Sequence, residues 1–228
     1  MNKISFGVVP QKNNLFALRI LGACGQFSAE EIIKIAQIAE RFGNGTVTAT
    51  SRGTFEIEGV AADVLDDAAA EIRKQNLRLG GTGATVRAVV ACKGTACRRG
   101  LFDVHALACR LDERFYAREV PKKFKIGVFG CMNSLGKAMA HDAGIMPSFT
   151  KLGCYEIYLG GLLGNRPVQG KHISVPLTEQ QLMEAIEFIL KIYTENGVYP
   201  QRLRAVLDNK PELWDTITAH IQKLAKQG

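Results

Sequence analysis

No apolar run in the 228-residue chain approaches the ~18 residues that a membrane-crossing helix needs, so no membrane segment is expected. Residues 1–14 contain no long apolar stretch ending in a small-residue cleavage site. No secretory leader is therefore expected, and a cytoplasmic setting follows. Internal repeats and low-complexity segments are also missing. The run Gly80-Gly81-Thr82-Gly83 lacks the spacing of the dinucleotide fingerprint, and neither a nicotinamide nor a flavin motif is found elsewhere. Acidic residues are in the minority, 22 against 29 Lys and Arg, which leaves a formal charge of +7 and points to an anionic partner. Nucleic acid is not expected to be that partner. The basic stretches are not interleaved with stacking aromatics, and no recognition-helix motif occurs.

What is present reads as a folded α+β chain, with 46% apolar and 22% charged residues. Leu15 to Leu21 reads as a strand. Ser28 followed by Glu31 forms a capping box, and Ile32, Ile35, Ala36, Ala39 and Phe42 recur at helical spacing before Gly43. Strands are expected at 46–50 and 54–58 around a turn at Ser51-Arg52-Gly53, and a second helix at 62–75. The first 80 residues thus read as strand, helix, strand, strand, helix, with the helices on one sheet face. Beyond the glycine boundary, strands are expected at 85–91, 124–129 and 154–159, and a helix at 103–116. Thr178 and Gln181 open a helical tail of three segments.

Two of these strands run directly into a cysteine: Cys92-Lys-Gly-Thr-Ala-Cys97, and Cys131-Met-Asn-Ser. Strand ends are rigid, and the loops that follow can wrap a metal. In a reducing compartment, thiolates from two such loops suit a soft iron–sulfur cluster, and the alternative is a set of small buried thiols. Cys109, on an amphipathic helix, reads as a core thiol, and His141 as a surface histidine at a helix end. Residues 87–125 hold ten basic side chains against four acidic ones, which is nearly all of the net charge. Arg110, Arg114 and Arg118 read as a solvated helix face. Lys123 and Lys125 share one face of the strand that leads into Cys131.

These motifs carry a resemblance. The run Cys92-KGTA-Cys97-RRGLFD, then LDERFYARE, then Val120-PKKFKIGVFG-Cys131-MNS resembles the siroheme and [4Fe–4S] region of the nitrite/sulfite reductase family, above all its small, single-copy anaerobic members. GQFSAEEIIKIAQIAERFGNGTVTATSR is similar to the family's ferredoxin-like half domain, and Gly153-CYEIYLGGLLG to the glycine-rich strand after the cluster motif. The resemblance implies an α+β fold in three parts. These are a ferredoxin-like half domain at 1–80, a siroheme/[4Fe–4S]-type α/β domain at 81–170, and a helical tail at 171–228 packing on the core. It implies Cys92, Cys97 and Cys131 as cluster ligands. Arg52 and Arg87 would lie beside the macrocycle, Lys123 and Lys125 against the bound anion, and Lys93 and Asn133 near the cofactors. Siroheme is rich in carboxylates, which explains the demand for cations.

The sequence departs from the family pattern at three places. Four residues separate the first cysteine pair where five are usual, and Gly53 replaces the glutamine that usually follows Arg52. The second pair, usually CPNxC, reads Cys131-Met-Asn-Ser-Leu135, so the position of the bridging fourth thiolate holds a leucine. Three repairs are open: Cys154 or His141 as a replacement ligand, a non-protein fourth ligand, or altered or lost cofactor binding. Two readings follow. One is a sulfite/nitrite reductase-like oxidoreductase that takes electrons from a donor protein such as a ferredoxin and passes them from the cluster to a siroheme-bound oxyanion. The other is a non-catalytic relative that holds a cluster or tetrapyrrole for electron transfer, sensing or carriage.

Overall fold

The structure is a computed structural model that describes residues 6–134 and 137–227. It divides into two compact units, Met1–Gly83 and Ala84–Gly228.

In the first unit, β1 (Val8–Pro10), β2 (Leu15–Leu21), β3 (Val47–Ala49), β4 (Thr54–Ala61) and β5 (Arg78–Leu79) form one antiparallel sheet. Its order is β1-β2-β4-β3, and β5 also pairs with β2. Helix α1 (Ala29–Phe42) starts where the Ser28 hydroxyl accepts the Glu31 N–H and the Glu31 carboxylate accepts the Ser28 N–H. Two of the helix's first orphan donors are thereby satisfied. Ile35, Ile38 and Ala39 of α1 and Ala68 and Ile72 of α2 (Leu65–Lys74) close over Leu18, Ile20, Ile57 and Val60 of the sheet. Period-2 strands and period-3.6 helices therefore share one core, as the sequence spacing requires.

In the second unit, the sheet order is β10-β9-β8-β7-β6. Strands β6 (Val90–Ala91), β7 (Ile126–Val128) and β8 (Ala143–Pro147) run parallel, whereas β9 (Tyr155–Leu159) and β10 (Lys171–Leu177) turn back antiparallel. Helices α3 (Val104–Phe115), α4 (Glu179–Asn196), α5 (Leu203–Asn209) and α6 (Glu212–Ala225) complete the unit, and Phe115, Phe124, Ile126, Val128, Ile189 and Tyr193 are buried in its interior. Residues 171–177, expected within the helical tail, are an edge strand instead. The alternation of Ile173, Val175 and Leu177 carries the signal for it.

The strand expected over 85–91 is interrupted. Val86 pairs in parallel with Phe124, but the ladder resumes as Val90 with Gly127, so the register slips by one residue. The slip turns the Val89 N–H away from the ladder, and the buried Asp112 carboxylate on α3 accepts it at 2.8 Å. This is a bulge with its spare donor satisfied by a helix. Arg110 on α3 and Arg118, just beyond its end, are exposed, yet they are paired. Arg110 chelates Glu179, and Arg118 binds Glu187 through two bonds of 2.7 and 2.8 Å. Such exposed pairs contribute about 0–1 kcal/mol each, so they orient α3 against α4 more than they stabilise it.

The segment 137–141 crosses the sheet at two glycines. A Cβ on Gly144 would lie 1.9 Å from the Ala138 carbonyl oxygen, and one on Gly127 would lie 2.9 Å from the His141 ring. Gly144→Ala is therefore expected to destabilise the chain by about 1–3 kcal/mol through overpacking against backbone. Urea unfolding measures this, and a wild-type midpoint for the variant would contradict the packing.

Candidate functional site

The parallel ladder sets the site. Cys92 follows β6 directly and Cys131 lies three residues beyond β7, so both emerge at the same sheet end. The Cys92 N–H donates to the Val128 carbonyl at 3.1 Å, which holds the first loop to the neighbouring strand. The Cys92 sulfur in turn accepts the Gly130 N–H at 3.2 Å and the Gly94 N–H at 3.5 Å. Leu101 N–H closes the stitch by donating to the Gly130 carbonyl at 2.8 Å. Glycine is required at these crossings: a Cβ on Gly130 would approach Val104 to 2.6 Å, and one on Gly100 would lie 1.9 Å from the Gly94 oxygen.

Cys97 closes the short 3₁₀ turn at 94–96 and is exposed, while Cys131 is half-buried. Lys93 and Asn133, next to Cys92 and Cys131, are exposed. Cys154 is buried one residue before β9, and its carbonyl accepts the Ser148 N–H at 2.8 Å. It therefore lies at the same sheet end as the other two, with β8 between β9 and β7. Backbone N–H groups aimed at sulfur orient it as they do at ligating cysteines. Among the described residues, no three His, Cys, Asp or Glu side chains converge on the position of a single metal ion. A cubane spreads its thiolates over separate irons, so two stitched loops suit a cluster better than one ion.

The cations lie at the opposite end of the same strands. Lys123 and Lys125 alternate with Phe124, which faces the core and sits 6.2 Å from the Tyr193 ring. Val86 pairs with Phe124, and Arg87 N–H donates to the Phe124 carbonyl at 2.8 Å, so Arg87 falls on the lysine face. Lys123 is half-buried. Its amine is held below the ordinary lysine range by burial first, then by the charges of Arg202, Arg87 and Lys122. Asp142 opposes them. Its carboxylate is fully buried at the start of β8, and one oxygen accepts the Lys125 N–H at 2.8 Å and the Arg202 guanidinium at 2.7 Å. Burial pushes the Asp142 carboxyl up, and Arg202 and the Lys125 N–H pull it back. Burial and Asp142 push the Tyr193 phenol up to about 12, so it remains a donor, bonded to the Gln201 carbonyl at 2.6 Å. The structure thus brings Arg87, Lys123 and Lys125 together. Arg52 belongs to the first unit, in the turn between β3 and β4, where its N–H donates to the Thr50 hydroxyl at 3.3 Å.

Family models match both units. One, the nitrite/sulfite reductase ferredoxin-like half domain, covers residues 9–75, and the other, the nitrite and sulphite reductase 4Fe-4S domain, covers residues 82–210. The chain belongs to the nitrite/sulfite reductase family. A coenzyme F420-dependent sulfite reductase of Methanocaldococcus jannaschii is 36% identical over 122 residues, which are 53% of this chain and 20% of that protein. An uncharacterised protein of the same organism is 34% identical over 142 residues, or 62% of this chain and 51% of that one. The chain therefore spans about half or less of these two relatives. An assimilatory-type sulfite reductase of Nitratidesulfovibrio vulgaris is 23% identical over 197 residues, covering 86% of this chain and 84% of that protein. In fold, a dissimilatory sulfite reductase crystal structure superposes with a TM-score of 0.80 at 15% identity, over 90% of this chain and 69% of that one.

Against the family pattern, Leu135 lies outside the described residues. His141, expected at the surface, is 6% exposed. Its Nδ1 lies 2.7 Å from the Lys137 carbonyl and its ring covers Gly127, because that glycine opens room for an imidazole over the sheet. Among the described residues, no helix is long and apolar enough to cross a membrane. Sequence reasoning missed Asp142 and Arg202. An acid standing directly before the apolar run Ala143-Gly-Ile-Met was the available signal for the first, and nothing local marked the second.

The lowered Lys123 amine has a consequence for anion capture. Its charged form, the one suited to an anion, is lost at a lower pH than in an ordinary lysine. Affinity for sulfate, whose own charge is constant there, is expected to fall as pH rises through the region below the ordinary lysine range. Lys123→Met should weaken binding and remove that step, as read by calorimetric titration at a series of pH values.

Proposed function

We propose that the chain is an oxidoreductase of the sulfite/nitrite reductase type, holding a [4Fe–4S] cluster on Cys92, Cys97 and Cys131 and a siroheme with its oxyanion on Arg87, Lys123 and Lys125. The observation that carries this reading is the Gly130 N–H bond to the Cys92 sulfur, which ties the two cysteine loops at one sheet end. Lys93 and Asn133 flank the cluster, and Arg52 of the first unit is assigned to the macrocycle by its place in TSRGT. Cys154 is the candidate fourth ligand, since Leu135 has no lone pair to donate.

When bound, siroheme and cluster supply the electrons and a coordination position for sulfite or nitrite. The chain's own groups do the rest. Arg87 stays charged at all working pH values and anchors carboxylate or oxyanion oxygens. Lys123 and Lys125 add point charges on the same strand face, where field and geometry favour an anion over water. The Lys123 ammonium, made more acidic by burial and by its cationic neighbours, is suited to donate a proton to an oxygen departing as water. The electron donor assigned to the cluster is a protein of the ferredoxin kind.

A second reading, a non-catalytic relative that carries electrons or a tetrapyrrole, is favoured by one observation, the leucine at 135. Losing the bridging thiolate removes the through-bond route between cluster and siroheme. Anaerobic reconstitution separates the readings. The wild-type chain is expected to take up iron and sulfide, and Cys92→Ser to lose most of both. Leu135→Cys is expected to change the siroheme spectrum and raise sulfite or nitrite turnover severalfold. No iron uptake by the wild-type chain defeats both cluster readings. Turnover already typical of relatives shows the bridge to be dispensable.

A further inference from the structure

Residues 197–202, between α4 and α5, bring to the cations a side chain that the reading above does not use. A Cβ on Gly197 would stand 3.0 Å from Pro121, so this segment lies against the residue that precedes Lys122 and Lys123. Two bonds fix its turn: the Tyr193 hydroxyl donates to the Gln201 carbonyl at 2.6 Å, and the Val198 N–H to Gln201 Oε1 at 3.2 Å. Arg202 follows, with a side chain 12% exposed, and its Nη2 donates to Asp142 Oδ2 at 2.7 Å. The same oxygen accepts the Lys125 N–H at 2.8 Å. One carboxylate oxygen thus joins Arg202 to the backbone of the strand that carries both lysines.

The pairing is incomplete. Among the described residues, neither Asp142 Oδ1 nor Arg202 Nε finds a hydrogen-bond partner, although both atoms are buried. A buried ion pair matched through only one N–H is a poor source of stability, because desolvation offsets its attraction. What it does supply is position and charge. Arg202 is also the first of the charges that act on Lys123, ahead of Arg87, which precedes β6, and the adjacent Lys122, with Asp142 opposing from the start of β8.

We propose that Arg202 is a positioning residue of the anion site: through Asp142 it fixes the strand entry that bears Lys123 and Lys125, and it adds a cation to the field that holds their anion. The proposal rests on the anion reading of Arg87, Lys123 and Lys125.

The test uses inorganic sulfite and the full chain at one pH near neutrality, with lysine side-chain NMR as a second readout. Arg202→Met alone leaves the Asp142 carboxylate buried without its cation and is expected to lose stability. It is therefore combined with Asp142→Asn, which removes both charges together. The paired variant is expected to bind sulfite about twofold more weakly, because the carboxylate removed with Arg202 offsets part of the lost cation. Its Lys123 amine should titrate closer to the ordinary lysine range. Asp142→Asn alone keeps the shape and the Arg202 charge, so Lys123 should titrate lower still. Those opposite displacements distinguish an electrostatic role from a purely structural one. A folded paired variant with wild-type sulfite affinity and an unmoved Lys123 titration overturns the proposal alone. An Asp142→Asn variant whose Lys123 does not move downward does the same. Failure of the wild-type chain to bind sulfite overturns the anion reading, and this proposal with it.

Discussion

The parallel pairing of β6 and β7 is the constraint on which the second unit depends. Parallel strands present like ends to like ends, so whatever follows each strand meets at one edge of the sheet. Here cysteine follows both strands, and the cations precede the cysteines along the same strands. Any shift in the ladder would therefore move the thiols and the charges together. The register is held by the one-residue slip between Val86 and Val90, and by the Asp112 carboxylate that takes the Val89 N–H which the slip turns out. A buried carboxylate on a helix thus specifies how two strands align, a part that packing alone fills poorly because Val, Ala and Gly fit several registers.

Chemistry is segregated along those strands. At the cysteine end the donors are backbone N–H groups, which stabilise negative sulfur without introducing a mobile charge. At the other end the charges are full and mostly positive, with the carboxylate of Asp142 among them. In the proposed reading the cations serve a carboxylate-bearing macrocycle and its anion, and the cysteines a cluster.

How much of this was legible in the sequence differs by element. The capping boxes at Ser28 and Thr178, the amphipathic helices and the strands leading into Cys92 and Cys131 were all legible, because each is written in spacing over a few residues. Strand β8 was not read, since Ala143-Gly-Ile-Met-Pro has no alternation and is buried throughout. Edge strand β10 was absorbed into a helical tail, although its alternate residues are apolar. Of the site, the cysteines, Arg87, Lys123 and Lys125 stood in recognisable runs. Asp142 and Arg202 lie sixty positions apart, and their meeting depends on tertiary structure that no local pattern encodes.

The contact between Arg202 and Asp142 also sets an order of events during synthesis. Chains grow from the N-terminus, and the first unit closes its antiparallel sheet by Gly83 with partners near in sequence. Cys92, Lys125 and Cys131 then leave the ribosome well before Arg202 does. Through that interval the strand entry at Lys125 has its carboxylate partner but lacks the guanidinium that holds it. The lysine-bearing entry is thus secured only after Arg202 has been synthesised, late in the making of the second unit.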